Sequence, residues 1–204
     1  MTNNQINQEE LQRLLELPGK VRGQVFITDF KYIKEKEGKR GLEILKKRME
    51  KLGNPIDYER IKTFDWYPVG LRAVSLLVIK ETFGFREKEI SVMGNSAPKY
   101  SFIVKLIMKY FFSLHKVFQE SPKYWKKHYN VGELETVELN EKEKYLIVRL
   151  KDFKVHPILC NYLFEDGYFL RLAQYVLESP NITSRETKCM FKDDPYHECL
   201  IKWE

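Results

Sequence analysis

Apolar residues recur at helical spacing along the first 120 residues of the chain. Apolar positions three and four residues apart predict helices over 23–37, 40–52, 69–83 and 86–93, then a long buried helix over 99–120. Glycine-containing segments at 38, 53–55 and 94–96 separate these helices and are interpreted as breaks or turns. The first half of the chain is therefore expected to be helical.

Beyond residue 130 the spacing of apolar residues changes from helical to alternating. Alternation predicts strands over 133–139 and 145–151, joined by a hairpin turn. Helical spacing returns over 157–177. Apolar and polar residues then alternate again in two segments, 183–191 and 196–203, on either side of the turn Asp193-Asp194-Pro195. Helices followed by a β-β-α-β-β half predict an α+β fold, with N-terminal helices packed on a four-stranded antiparallel sheet.

Length, charge and cysteine content narrow the class of protein. The 204 residues suit one domain, which we place at 20–204 after a polar N-terminal lead over 1–19. The formal net charge is +6, but basic residues alternate with acidic ones and no nucleic-acid motif is present, so nucleic-acid binding is not expected. No apolar run is long enough to span a membrane. Three cysteines, an odd number, argue against a secreted disulfide framework and favour the cytoplasm.

The C-terminal residues resemble the signature of 4-vinyl-reductase-type domains. That signature has a Glu three residues before a Cys, then a turn, then a Cys or His ahead of an apolar strand. Glu186, Cys189 and His197 follow this order. Upstream, Cys160 precedes a Gly-Tyr step as in that family, and the segment 64–68 resembles the related haem-NO-binding domains. The same superfamily includes subunits of vesicle-tethering complexes.

This resemblance, which covers about residues 20–204, implies an apolar cavity enclosed between the helices and the sheet. Members of the group bind hydrophobic ligands, and many of them form homodimers. Amphipathic phase selects five candidate pocket residues, for which ordinary core packing is the alternative role. They are Trp66, Phe102, Leu106, Tyr110 and Phe169.

The resemblance also implies a metal site. Phenol-sensing relatives hold a structural zinc with three Cys and one Glu. In this chain Glu186, Cys189 and His197 follow their pattern, Cys199 lies two residues further on, and Cys160 is displaced by two or three residues from the remaining position. Thiolate, imidazole and carboxylate groups all bind zinc in tetrahedral sites. The simpler alternative, preferred on sequence alone, is three buried cysteines that behave as small hydrophobic residues beside a hydrogen-bonded His.

Haem is the second cofactor that the resemblance raises, behind zinc. Haem-NO-binding domains place an iron-ligating His on a comparable helix and a Tyr-x-Ser-x-Arg motif at the haem propionates. His115 lies on the predicted long helix, and Tyr145 and Arg149 have the spacing of the motif. Ile147 replaces its Ser, however, and a Tyr and an Arg four residues apart on a strand are common by chance.

Catalysis has little support, because the chain has neither a glycine-rich phosphate loop nor a Gly-x-Ser-x-Gly nucleophile elbow. The sequence therefore predicts a non-enzymatic sensor or carrier that binds a small hydrophobic ligand between helices and sheet. One alternative is an assembly protein that acts through a dimer surface without a small ligand. The other is an enzyme of tetrapyrrole metabolism, suggested only by the name of the family.

Overall fold

The computed structural model describes residues 6–53, 56–101, 104 and 113–204. Among the described residues, the helices with known bounds are α1 (Gln8–Leu15), α2 (Gln24–Lys51), α3 (Val69–Phe83), α4 (Glu87–Tyr100), α5 (Leu114–His128), α6 (Pro157–Leu163) and α7 (Tyr168–Gln174). The strands are β1 (Lys20–Arg22), β2 (Trp66–Pro68), β3 (Glu133–Asn140), β4 (Tyr145–Lys151), β5 (Ile182–Lys188) and β6 (His197–Trp203). The predicted α+β class is confirmed.

The main sheet has four antiparallel strands in the order β3-β4-β6-β5, as the alternating segments predicted. Leu146, Val148 and Leu150 are buried on one face of β4, and the residues between them lie on the other face. The buried face packs against the helices, because alternate side chains of a strand point to opposite sides of the sheet. A second sheet, formed by the short strands β1 and β2, was not predicted.

Two predicted helices in the first half of the chain form one kinked helix. α2 runs through the break predicted at Gly38, which has φ 69° and ψ −170° in the middle of the helix. A left-handed φ costs glycine little because it has no Cβ, so the chain can bend there and continue as a helix. The glycine therefore marks a kink inside α2 rather than a connection between two helices.

The break predicted at 94–96 is wrong, since α4 continues through it to Tyr100. A Cβ on Gly94 would overlap the carbonyl oxygen of Tyr162, so glycine is required there for the close approach of α6. The long helix predicted over 99–120 is also not continuous. Tyr100 ends α4, and α5 begins at Leu114 after Ser113, whose side chain accepts a hydrogen bond from the backbone N–H of Lys116.

A fully buried ion pair joins the helices at the centre of the protein. Arg72 of α3 pairs with Asp29 of α2, and both side chains are inaccessible to solvent. The Tyr162 hydroxyl of α6 donates to Oδ1 of Asp29 over 3.2 Å, and the Arg72 guanidinium lies 4.6 Å from the centre of the Tyr162 ring. Three helices thus meet at one charged cluster. Within the described residues, no helix has both the length and the apolarity to cross a membrane.

Candidate functional site

Four of the five predicted metal ligands converge at the edge of the main sheet. Cys160 lies in α6, Glu186 in β5, Cys189 just after β5, and His197 at the start of β6. One potential ligand atom from each residue lies within 4.8 Å of the other three. Nδ1 of His197 is 2.8 Å from Oε1 of Glu186 and 3.8 Å from Sγ of Cys160. We call these four residues the Cys-Glu-His cluster.

The turn between β5 and β6 brings the last three members of this cluster together. The pairing of β5 with β6 is irregular between Glu186 and Lys188, so the strand changes its register just before Cys189. The backbone N–H of Cys189 donates to Oδ2 of Asp194 over 2.8 Å. Asp193 adopts the left-handed conformation, φ 66°, that aspartate tolerates in tight turns. The hairpin therefore returns His197 to the side of Glu186.

His197 is held in one orientation by contacts on both sides of its ring. Its side chain is inaccessible to solvent and stacks on Phe164, with 5.4 Å between the ring centres. Nε2 lies 3.3 Å from the carbonyl oxygen of Phe153, to which an Nε2–H donates. Nδ1 then faces Oε1 of Glu186 and Sγ of Cys160, and a proton or a cation must lie between this nitrogen and the carboxylate, because both atoms are acceptors. A ligating histidine whose other ring nitrogen donates to a carbonyl group is typical of metal sites.

Burial controls the chemistry of the two cysteines in the cluster. Loss of water raises the pKa of the Cys160 thiol, and the nearby Glu186 carboxylate raises it further. Burial is also the largest cause of the raised pKa of Cys189. A bound cation would oppose both effects, because it stabilises thiolate and carboxylate together. The cluster thus has the charge and the donor atoms of a cation site.

Cys199, the fifth predicted ligand, lies outside the cluster. Its Sγ is 3.6 Å from the Ser184 hydroxyl in the interior of the protein. Burial raises the pKa of Cys199 to about 12, so this thiol stays protonated at neutral pH. Cys199 packs as a small hydrophobic residue with a weak hydrogen bond.

A cavity of about 90 Å³ lies between the helices and β3. Its wall is mainly apolar and aromatic. The wall includes residues of α2, α4, α5, α6, α7 and β3. Among the lining residues are Thr28, Ala97, Trp125, His128, Tyr162 and Phe169. A second hollow of about 40 Å³ shares Val117, Ser121, Phe169 and Leu172 with the first. The two hollows together approach the size of the apolar cavity of roughly 150 Å³ that accepts benzene, so they suit a ligand about as large as a single ring.

The predicted pocket residues have different positions relative to this cavity. Phe169 lines both hollows. Trp66 is in β2, where the Arg22 guanidinium lies 3.7 Å from the centre of its ring, and it is not one of the residues that line the cavity. Phe102, Leu106 and Tyr110 lie outside the described residues.

His128 is a cavity residue that the sequence analysis missed. Its Nε2 is buried and has no hydrogen-bond partner in the described part of the chain. Burial lowers the pKa of His128 to about 4, and the positive charges of Arg22 and Lys127 act in the same direction. No motif contains this residue. The one available signal was its position three residues after Trp125 on an amphipathic helix.

The residues predicted for haem are not gathered around the cavity. The His115 ring is exposed and lies 2.7 Å from the Gln119 amide. Tyr145 hydrogen-bonds with Glu138, and Arg149 forms an ion pair with Glu198 at 2.7 Å. Because Tyr145 and Arg149 alternate with the buried residues of β4, they lie on the sheet face that points away from the helices. Within the described residues, these three side chains are not arranged around the cavity as a haem site.

Comparisons with known proteins give a match of fold but not of sequence. No family model and no curated protein matches the chain. An H-NOX protein from S. oneidensis in the Fe(II)NO ligation state has a TM-score of 0.68 at 12% identity, covering 90% of this chain and 99% of that one. An oxygen-binding H-NOX domain related to soluble guanylate cyclases gives 0.60 at 12% identity, with 90% and 95% covered. Fe(II) unliganded H-NOX from K. algicida gives 0.59 at 12%, with 90% and 96% covered.

These structures share the fold of the chain and agree with the haem-NO-binding part of the predicted resemblance. The 4-vinyl-reductase and vesicle-tethering parts are not supported by the comparisons. At 12% identity the similarity concerns the fold alone.

Proposed function

We propose that this chain is a sensor or carrier domain that holds a small apolar molecule in the cavity between its helices and sheet. The cavity itself carries the proposal, because a concave apolar wall with a few polar atoms is the usual form of a small-molecule site. The fold supports it, since the similar solved structures include proteins described in NO-ligated and oxygen-bound states. No group of residues arranged for catalysis lines the cavity within the described part of the chain.

The proposed ligand is an organic molecule of about ring size rather than haem. The described residues that line the cavity include no Arg or Lys to bind the carboxylates of a haem. His115, Tyr145 and Arg149 are engaged elsewhere, as described above. The H-NOX fold would then serve a different ligand in this chain, because a fold does not by itself determine what is bound.

Filling the cavity tests this proposal. Ala97 on α4 lines the cavity and is 4% exposed, so Ala97→Leu would occupy part of the space. We expect toluene to raise the melting temperature of the wild-type protein and to give a saturable signal in titration calorimetry. Ala97→Leu should lose both effects. Val92→Leu is the matched control, since Val92 is 47% exposed on the same helix.

Toluene binding that is equal in the wild type and in Ala97→Leu would contradict this location for the site. If toluene and a panel of small aromatic and aliphatic molecules all failed to bind the wild type, the ligand-binding proposal would be wrong. An interaction protein without a small ligand would then be the better interpretation.

We further propose that the Cys-Glu-His cluster binds one zinc ion as a structural site. Two sulfur donors, one imidazole nitrogen and one carboxylate oxygen make a complete tetrahedral set, with no position left for a substrate. The orientation of His197 toward Glu186 and Cys160 supports this assignment. A bound ion would connect α6 to the β5–β6 hairpin, and thereby one wall of the cavity to the sheet.

Zinc content measured on protein purified without a metal-affinity tag tests the metal site. We expect one zinc per chain in the wild type and none in Cys189→Ala, which removes one thiolate ligand. Cys199→Ala is the matched control, because it removes a buried cysteine outside the cluster. It should keep its zinc. A wild-type protein without metal after expression and dialysis with zinc present would refute the proposal, and equal loss in both variants would indicate unfolding rather than ligation.

A further inference from the structure

We infer that the ligand carries an uncharged hydroxyl or similar hydrogen-bonding group that contacts Nε2 of His128. This inference rests on the proposed ligand-binding function, and it adds the chemical class of the ligand and the residue that recognises it. An apolar ligand without such a group would leave the histidine nitrogen without a partner in the interior.

The position of His128 places it among cavity residues. It is the last residue of α5, and Trp125 and Tyr124, three and four residues earlier, also line the cavity. Residues at these spacings share one face of a helix. The His128 ring therefore belongs to the same wall as the Trp125 indole.

Other polar side chains on the cavity wall have partners inside the protein. The Thr28 hydroxyl donates to the Val25 carbonyl over 2.7 Å, and Ser121 donates to Val117 over 2.6 Å. The Tyr162 hydroxyl is bonded to Asp29, as described above. The Trp125 Nε1–H donates to the carbonyl groups of residues 131 and 132, at 3.1 Å each.

Nε2 of His128 differs from all of these atoms. It is buried, it belongs to a residue that lines the cavity, and it has no partner among the described residues. A buried polar atom without a hydrogen bond is costly, and native structures supply a partner for most such atoms. A polar group on the ligand would supply it here.

The charges around His128 indicate that the polar group of the ligand is neutral. Burial and the positive charges of Arg22 and Lys127 keep the imidazole uncharged at neutral pH, so it offers a single donor or acceptor at Nε2. Arg22 is itself engaged, stacked on Trp66 and bonded to the carbonyl oxygen of Lys127 at 3.2 Å. The positive charges would repel a cationic ligand group, and an ionised group of either sign would lose its hydration in an apolar cavity.

Two probes of nearly equal shape, benzyl alcohol and ethylbenzene, test the inference in titration calorimetry. His128→Phe keeps an aromatic ring but removes both nitrogens. We expect the ratio of the two dissociation constants to shift about tenfold against benzyl alcohol in this variant, because one hydrogen bond is lost. His115→Phe, at an exposed histidine on the same helix, is the control and should leave the ratio unchanged.

The outcomes separate this inference from the proposed function. If both probes bind and the ratio is the same in the wild type and in His128→Phe, His128 does not recognise the ligand, although the cavity still binds one. If neither probe binds the wild type, the proposed function and this inference both fail. Should His128→Phe not fold, nitrogen NMR of the wild type decides the question. The His128 Nε2 resonance must move with benzyl alcohol and not with ethylbenzene, and equal shifts would overturn the inference.

Discussion

Two histidines with buried ring nitrogens show how the surroundings of a side chain decide what it can do. Both ring nitrogens of His197 have partners, since Nε2 faces the carbonyl oxygen of Phe153 and Nδ1 faces Glu186. His128 has a buried Nε2 without a partner in the described structure. The first ring is oriented for a cation among anionic donors, and the second is oriented for a neutral group in an apolar cavity. Residue type alone would not distinguish them.

The lowered pKa of His128 predicts a dependence of stability on pH. Burial, with help from Arg22 and Lys127, lowers this pKa from 6.5 to about 4 in the folded protein. Between these values the unfolded chain binds more protons than the folded protein, so the free energy of unfolding rises with pH. The contribution is fully present above about pH 6.5 and is lost as the pH falls toward 4. Over the whole interval it amounts to about 3 kcal/mol, from 1.36 kcal/mol per pKa unit.

Urea unfolding of the wild type and of His128→Phe at pH 7 and pH 5 measures this contribution. The wild type should lose more stability than the variant on acidification. Burial also lowers the pKa of His156, but this group is present in both proteins and therefore cancels in the difference. Equal losses in the two proteins would show that His128 is protonated as easily in the folded state as in the unfolded state.

At the scale of elements, two glycines in helices have different physical roles. Gly38 has a left-handed backbone with open space around it, and it kinks α2. Gly94 is an ordinary helical residue whose missing side chain lets α4 contact the backbone of α6 at Tyr162. Both helices of this contact contribute to the cavity wall, and α6 also carries Cys160 of the cluster. The packing of α4 on α6 thus supports both candidate sites.

Replacing Gly94 is expected to weaken this contact. In Gly94→Ala the new methyl group would overlap the carbonyl oxygen of Tyr162 and force the two helices apart. We expect a loss of at least about 1–3 kcal/mol in the free energy of unfolding, the usual cost of overpacking a core. Ser96→Ala, two residues further along α4, is the control and should change stability by less than about 1 kcal/mol. Equal stability of the wild type and Gly94→Ala would show that the backbones separate without cost.

At the scale of the whole molecule, the Arg72–Asp29 ion pair is the feature that connects the most helices. It joins α2 to α3, and Tyr162 of α6 completes it. A charge in the interior is tolerated only when it is paired and hydrogen-bonded.

The predicted homodimer and the predicted domain limits at residues 19 and 20 stay predictions. Leu11 and Leu14 of α1, which lie in the predicted polar lead, are buried in the hydrophobic core.

Removing one partner of the ion pair should destabilise the protein more than removing both. Asp29→Leu leaves the Arg72 charge buried without its partner, which costs about 3–5 kcal/mol in comparable cases. In the double variant Asp29→Leu/Arg72→Met we expect a large part of this loss to be recovered, because no buried charge remains. Urea unfolding of the wild type, Asp29→Leu, Arg72→Met and the double variant gives the coupling energy between the two side chains. A double variant that is less stable than Asp29→Leu would contradict this explanation.

Much of the secondary structure, and part of the candidate metal site, followed from local patterns. The predicted bounds of α3 and β4 agree with the structure, because helical and alternating periods are properties of short segments. The predicted helix over 157–177 is instead two helices, α6 and α7, separated near Gly167. The order of Glu186, Cys189 and His197 resembled a known metal site, although buried cysteines were the preferred interpretation, and the hairpin brings these three residues together.

Long-range packing decided the rest. Cys160 belongs to the cluster and Cys199 does not. Membership depends on how α6 packs against the sheet and not on distance along the chain. Packing also decided that Gly94 lies at the contact between α4 and α6. It placed His128 on the cavity wall, with an Nε2 atom that has no partner among the described residues. A local pattern shows which face of an element is buried. Only the arrangement of distant elements determines what that face meets there, because those contacts join residues far apart in the chain.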